Sequence, residues 1–174
     1  MDGDDLLRVV LLGITVILSA FFSGSEAAFL SIQRGKLAHL VQRRVKRADK
    51  VAEMANHPER LLPTVLTGNN LVNTAAAALG TALALSFLGT NNAIVVATVV
   101  VTVVLLVFSE IIPKTIAAHH SERFALTVVV PLQVAELFLK PAVWVLEKLS
   151  RLIGRLFGVR DATMANEEEI RALI

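Results

Sequence analysis

The 174 residues contain no cysteine, so no disulfide framework, thiolate metal site or cysteine nucleophile is available. Charge is scarce as well. Asp, Glu, Lys and Arg make up 18% of the chain against 55% hydrophobic residues, a balance that excludes an ordinary soluble domain. No set of serine, histidine and acid, no glycine-rich phosphate loop and no metal-hydrolase spacing is present, which argues against an enzyme. Internal repeats and low-complexity tracts are also lacking.

What the chain does contain is long apolar tracts, at Leu6 to Phe22, Leu61 to Leu88, Ala93 to Phe108 and Phe124 to Leu146. The first carries only Arg8 and the third no charge at all. A helix rising 1.5 Å per residue needs roughly 20 apolar residues to cross the hydrocarbon core. With their flanks, three tracts reach that length, at about residues 6–32, 61–88 and 93–113. The N-terminal MDGDDLLR is acidic where a secretory signal would be basic, so the first tract reads as a retained helix.

Orientation is set by charge. Between Arg34 and Arg60 stand Arg34, Lys36, Arg43, Arg44, Lys46, Arg47, Lys50 and Arg60 against Asp49, Glu53 and Glu59. Such a loop stays cytoplasmic under the positive-inside rule. Beside spanning helices its basic character is accounted for by topology and lipid contact, without nucleic acid. Its two short amphipathic stretches, around Leu37 to Val41 and Val51 to Met54, fit a helical hairpin. Asp2, Asp4 and Asp5 and the uncharged turn Gly89-Thr90-Asn91-Asn92 fall on the other side, giving an outside N-terminus, three crossings and a cytoplasmic C-terminus.

The fourth tract is interrupted by Gln133, Glu136 and Lys140, and Pro131 and Pro141 are expected to break its backbone ladder. From Leu137 to Phe157 apolar positions alternate with Lys140, Glu147, Lys148, Arg151 and Arg155, the pattern of a basic helix lying in the interface plane. The expected architecture is therefore all-α and integral to the membrane: three spans, a cytoplasmic helical hairpin and juxtamembrane helices over about residues 121–158. Residues 1–160 form the membrane domain. The closing ATMANEEEIRALI begins a helical pattern at Asn166 to Glu169 and stops, so residues 161–174 read as the start of a cytoplasmic region belonging to a longer protein.

Each span carries polar groups that are costly in hydrocarbon and therefore tend to face the bundle interior. In the first, Ser19 and Ser23 share a helical face, and Glu26 lies a turn further on. Gly24, between Ser23 and Ser25, removes bulk where a backbone or ion approaches. Serines alone are equally explained by back-bonding to their own helix. In the second, TGNNLVN places Asn70 and Asn73 on one face, and Gly68 is expected to weaken the helix and release carbonyls. Asparagines also act as interhelical glue. The third ends in FSEIIPK, where Pro113 cannot donate to the carbonyl of Ser109 and so frees an acceptor beside Glu110. Lys114, four residues on, is placed to pair with Glu110.

Together these make an oxygen-only set of one carboxylate, two hydroxyls, an amide oxygen and freed carbonyls. Hard cations such as Mg²⁺, Ca²⁺ or Na⁺ require such ligands, and ligand type alone does not choose among them. His39 and His57 in the basic loop and His119 and His120 at the end of the third span read as solvated or interfacial groups.

The strings SAFFSGSEAAFLS from Ser19, LTGNNLVNTAAAAL from Leu66 and FSEIIPKTIAAHHSERFAL from Phe108 resemble the transmembrane domain of the CorC/CNNM (cyclin M) magnesium transporters, also called hemolysin-like proteins in bacteria. The resemblance runs from about Leu7 to the end. It implies a homodimeric domain in the cell inner membrane that exports Mg²⁺ against Na⁺ entry. Carried over residue by residue, it implies Ser19, Ser23, Asn70, a backbone carbonyl near Gly68, and Glu110 as ligands. Ser25, Glu26, Asn69, Asn73, Ser109 and Lys114 take supporting positions or serve the coupling ion. Family members continue into cytoplasmic CBS domains that bind ATP, and EEEIRALI resembles the lead-in to them. Two functions fit these residues: a secondary magnesium transporter, or a membrane sensor or scaffold that regulates a separate magnesium channel. A pore-forming toxin fits badly, because the chain has no surface for a soluble form.

Overall fold

A computed structural model describes residues 3–88 and 90–156. The described residues are all-α, with no strand. In chain order the helices are α1 (Gly3–Ser31), α2 (Arg34–Gln42), α3 (Ala48–Asn56), α4 (Pro58–Leu88), α5 (Thr90–Val104), a π-helical segment (Leu105–Ile111), α6 (Ile112–His119) and α7 (Ser121–Leu156). Gly89, in the expected outer turn, and the closing segment from Phe157 onward lie outside the described residues. The chain divides into two compact units, Met1–Leu139 and Lys140–Ile174.

In the first unit α1 is the central element. It packs against α4 on one side and against the π segment and α6 on another, while α4 also packs against α5. Its two ends differ. Toward the N-terminus Leu6, Leu7, Val9, Val10 and Ile17 are exposed, as expected of side chains that meet lipid. Toward the C-terminus Phe22, Ala28 and Phe29 are buried with Leu37, Val51, Leu61, Val65 and the α7 stripe Ala125, Val128, Val129 and Leu132. The repeat of that stripe, three and four residues apart, is one face of a helix.

Helices α2 and α3 form the expected hairpin. Its turn is a Schellman motif: Arg44 N–H donates to Val41 O at 2.9 Å and Val45 N–H to Leu40 O at 3.1 Å. The left-handed position that glycine usually fills is held by Arg44 (φ 54), and Arg47 (φ 72) comes next in the same region. In the first turn of α4, Glu59 lies 2.9 Å from His57 Nδ1. Its backbone amide and then His57 hold its carboxyl below the ordinary carboxylate range.

Three polar ties bind the hairpin and the start of α4 to the first part of α7: Lys36 to Glu122 at 3.3 Å, Arg47 Nη1 to Leu126 O at 3.4 Å, and Arg60 Nη2 to Glu136 at 2.8 Å. Helix α7 runs through Pro131 unbroken, and Pro141 is also helical, which corrects the expected breaks. Because Gln133, Glu136 and Lys140 do not interrupt it, α7 gathers enough apolar length to qualify beside the three expected spans. Among the described residues four helices are long and apolar enough to cross a membrane: Gly3–Ser31, Pro58–Phe87, Ala97–His119 and Ser121–Ser150. In the second unit, Lys148 Nζ lies 4.8 Å over the ring of Trp144.

Two glycines of α4 set helix spacing. Gly68 is covered by the Phe22 ring of α1, and Gly80 by Val101 of α5. The alanine-rich stretch around Gly80 thus takes part in packing within the chain. Gly80→Leu should push α5 off α4 and lower stability by about 1–3 kcal/mol, the usual cost of overpacking, read as a lower midpoint in detergent-solubilised thermal unfolding. Arg44→Gly should raise stability by about 1 kcal/mol, since the left-handed position then carries no Cβ penalty; a lower midpoint would show that Arg44 makes a contact worth more than the strain.

Candidate functional site

The polar groups foreseen in the three spans meet at the α1–α4 and α1–π interfaces. Ser19, Ser23, Ser25 and Ser109 are each completely buried. Ser25 is accounted for locally, since its hydroxyl donates to Phe21 O at 2.7 Å. That is the back-bonding expected of a serine in an apolar helix.

Ser19 is not satisfied so simply. Its Oγ lies 2.6 Å from Asn73 Oδ1 and 3.0 Å from Asn69 Oδ1. A hydroxyl has one proton to give. One of these oxygens receives it, and the other faces a lone pair unless its carboxamide turns over to donate N–H or a cation sits among the three oxygens. One turn along α1, Ser23 Oγ is buried with no hydrogen-bond partner among the described residues. An unmade hydrogen bond at a buried hydroxyl costs about 1–3 kcal/mol, so such a group calls for an explanation.

The rotation of α4 decides which asparagines take part. Gly68, Val72 and Ala76 form its buried line, fixed by the Phe22 ring on Gly68. Asn69 and Asn73 flank that line and reach Ser19. Asn70 falls on the exposed face, where its backbone oxygen accepts from Thr74 Oγ1 at 2.8 Å. The sequence expectation pairs Asn70 with Asn73; the structure brings Asn69 and Asn73 together instead. Nor does α4 break at Gly68, which lies inside an unbroken helix.

The third contribution comes from the π segment, which no sequence pattern announces. Ile112 N–H donates to Val107 O, five residues back, so this stretch holds one residue more per turn than its neighbours. Pro113, at the start of α6, has no N–H to carry that register further. Ser109 is turned into the α1 interface, its hydroxyl 3.3 Å from Val16 O, one turn before Ser19. Glu110 is half-buried, and among the described residues no cation lies within ion-pair distance of it. Lys114 bonds instead to Glu26 of α1, at 3.0 Å. The expected Glu110–Lys114 pair is therefore replaced by a tie between α6 and α1, one turn beyond Ser23 on the face that carries Ser19. With Lys114 committed elsewhere, Glu110 keeps its lone pairs.

Among the described residues no cluster of three or more His, Asp or Glu is placed to hold a metal. The available chemistry is hydroxyl and carboxamide oxygen with the single carboxylate of Glu110, suited to a hard cation that keeps part of its water or to an ammonium group.

The chain as a whole is similar to known membrane proteins. Residues 10–174 match the cyclin M transmembrane N-terminal domain. The UPF0053 inner membrane protein YfjD of Escherichia coli K12 is 35% identical over 161 residues, covering 90% of this chain and 37% of that protein. A UPF0053 protein of Haemophilus influenzae is 33% identical over 168 residues, 95% of this chain and 40% of its own length. The polyamine export protein of the same bacterium is 28% identical over 180 residues, 94% of this chain and 42% of its length. The chain thus spans between 25% and 42% of the length of the curated relatives it matches. With the match running over nearly its whole length, this multi-pass membrane chain belongs to the cyclin M (CNNM) transmembrane domain family.

Proposed function

We propose that this domain carries Mg²⁺ across the membrane, exporting it against Na⁺ entry. The observation that bears the reading is the buried oxygen group between α1 and α4: the hydroxyl of Ser19 between two carboxamide oxygens, with Ser23 unpartnered one turn away. A cation resolves both features, since it accepts lone pairs from all of these oxygens at once. Ser19, Ser23 and Glu110 are the proposed ligands from α1 and the π segment. From α4 the ready oxygens are those of Asn69 and Asn73. Asn70 and the backbone oxygen near Gly68 join the shell if α4 turns or opens during transport. Glu26 and Lys114 close the path on the side of the basic loop.

The basic character of the hairpin supports a cytoplasmic position for that side, with the N-terminus outside. The ties from Lys36, Arg47 and Arg60 hold residues 122–136 of α7 alongside the hairpin. About 20 Å of helix anchored to loop elements at both ends is better used as a belt at the membrane face than as a fourth span. In the full-length protein, a second copy of this domain and cytoplasmic regulatory domains of the CBS type complete the assembly.

Two other readings have specific support. The oxygen group accepts ammonium hydrogens as readily as it ligates a metal, and the Haemophilus relative is named for polyamine export. A domain that senses Mg²⁺ and regulates another channel would use the same residues without moving the ion.

Flux in proteoliposomes separates these. Wild-type protein should move Mg²⁺ in a manner that depends on an opposing Na⁺ gradient, and Glu110→Ala should abolish the flux while the protein stays folded. Putrescine flux with none for Mg²⁺ would replace the cargo. Mg²⁺ binding without flux of either would favour the sensor. A second outcome concerns Ser23→Ala. Without Mg²⁺ the variant should be no less stable than wild type, because the hydroxyl it removes is unpartnered; the thermal stabilisation conferred by Mg²⁺ should shrink. An equal Mg²⁺ response in both proteins would remove Ser23 from the shell.

A further inference from the structure

Where α1 leaves its apolar stretch, a cavity of about 400 Å³ opens between the end of α1, the α2–α3 hairpin and the start of α4. This lies within the range of roughly 300–1,000 Å³ typical of small-molecule sites. Its side-chain lining is mostly apolar, with Phe29, Leu37 and Leu61 at the floor and Ala52, Ala55 and Leu62 around them, and Asn56 adds a polar group. The one charged residue among its lining is Arg34, the first residue of α2.

The level of this cavity in the membrane is set by its own residues. Leu30, on the rim, is 65% exposed and belongs with the lipid-facing side chains of α1, while Arg34 lies one turn beyond and begins the basic loop. The cavity therefore sits where acyl chains end and headgroups begin. Arg34 is exposed and has no salt-bridge partner among the described residues. Gln33, at the N-cap of α2, offers its side chain to none of the first amides of the helix. An apolar hollow left to water is unfavourable, and an unpaired guanidinium above it favours a phosphate.

We propose that this cavity is a binding site for one anionic phospholipid, with an acyl chain between Phe29, Leu37 and Leu61 and the headgroup phosphate on Arg34. Charge complementarity selects the occupant: Arg34 lines the mouth without a salt-bridge partner among the described residues and opens a basic loop, so a zwitterionic lipid or an apolar peptide would forgo that attraction. The site is separate from the oxygen group between α1 and α4 and does not depend on which ion that group serves. A lipid held here bridges α1, α2, α3 and α4, and it makes hairpin position sensitive to the composition of the inner leaflet.

The test compares lipids added to the purified protein in a neutral detergent, with bound lipid counted by native mass spectrometry and thermal unfolding followed in parallel. Wild type should retain phosphatidylglycerol over phosphatidylcholine and be stabilised by it. Arg34→Gln should lower the preference for phosphatidylglycerol about fivefold, the effect of roughly 1 kcal/mol per basic residue near a membrane surface. Lys46→Gln, away from the cavity lining, should leave the preference nearly unchanged. Ala55→Leu should reduce retention of both lipids by filling the hollow, and Ala38→Trp at its exposed rim does the same without touching the floor. Equal losses from Arg34→Gln and Lys46→Gln would reduce the effect to the general charge of the loop and overturn the site. So would stabilisation by glycerol phosphate equal to that by the lipid, or full retention of both lipids in Ala55→Leu and Ala38→Trp alike.

Discussion

The contact of the Phe22 ring with Gly68 sets the geometry on which the rest of the polar interior depends. A side chain at position 68 would hold α1 and α4 apart, and Ser19 would then reach neither Asn69 nor Asn73. In hydrocarbon there is no water to complete those hydrogen bonds, so interhelical distance and polar satisfaction are one constraint. The ring also fixes the rotation of α4, because it selects the line Gly68, Val72 and Ala76 as the buried one.

The order of helices, the hairpin and the inward face of α1 could be read from the sequence, because each depends on local pattern. Long uncharged runs mark α1, α4 and the α5–α6 region, and two short amphipathic stretches mark α2 and α3. Ser19 and Ser23 on one face of α1 are a matter of helical period alone. What pattern cannot supply is the rotation of one helix against another. Asn69, Asn70 and Asn73 are all within one turn, and only the ring on Gly68 decides that 69 and 73 turn inward.

The same limit explains the ion pair. Counting four residues from Glu110 to Lys114 assumes α-helical register, but Glu110 lies within a π segment whose extra residue rotates the start of α6. Lys114 then faces Glu26 across the α1–α6 contact. The count of possible spans differs for a related reason. Proline and charge in α7 mark breaks in an isolated helix, whereas here Glu136 is satisfied by Arg60 and the helix runs on through Pro131. In each case a tertiary partner overrides a local rule.

The π segment has a consequence for how this region tolerates change. Its surplus residue is a stored insertion: deleting one position between 105 and 111 would let the segment return to ordinary α register with the residues beyond still on their present faces, whereas one residue more would rotate everything beyond it by about 100°. Lys114 and Ala117 would both leave α1. The apolar residues of α5 ahead of it, such as Val99, Val100 and Val103, are exposed and can exchange among themselves. Length, then, is constrained in the π segment where side-chain identity is constrained in α1, and natural variants of this helix should differ freely in apolar composition while gaining no residue, and losing at most the one surplus residue, between Val104 and Pro113.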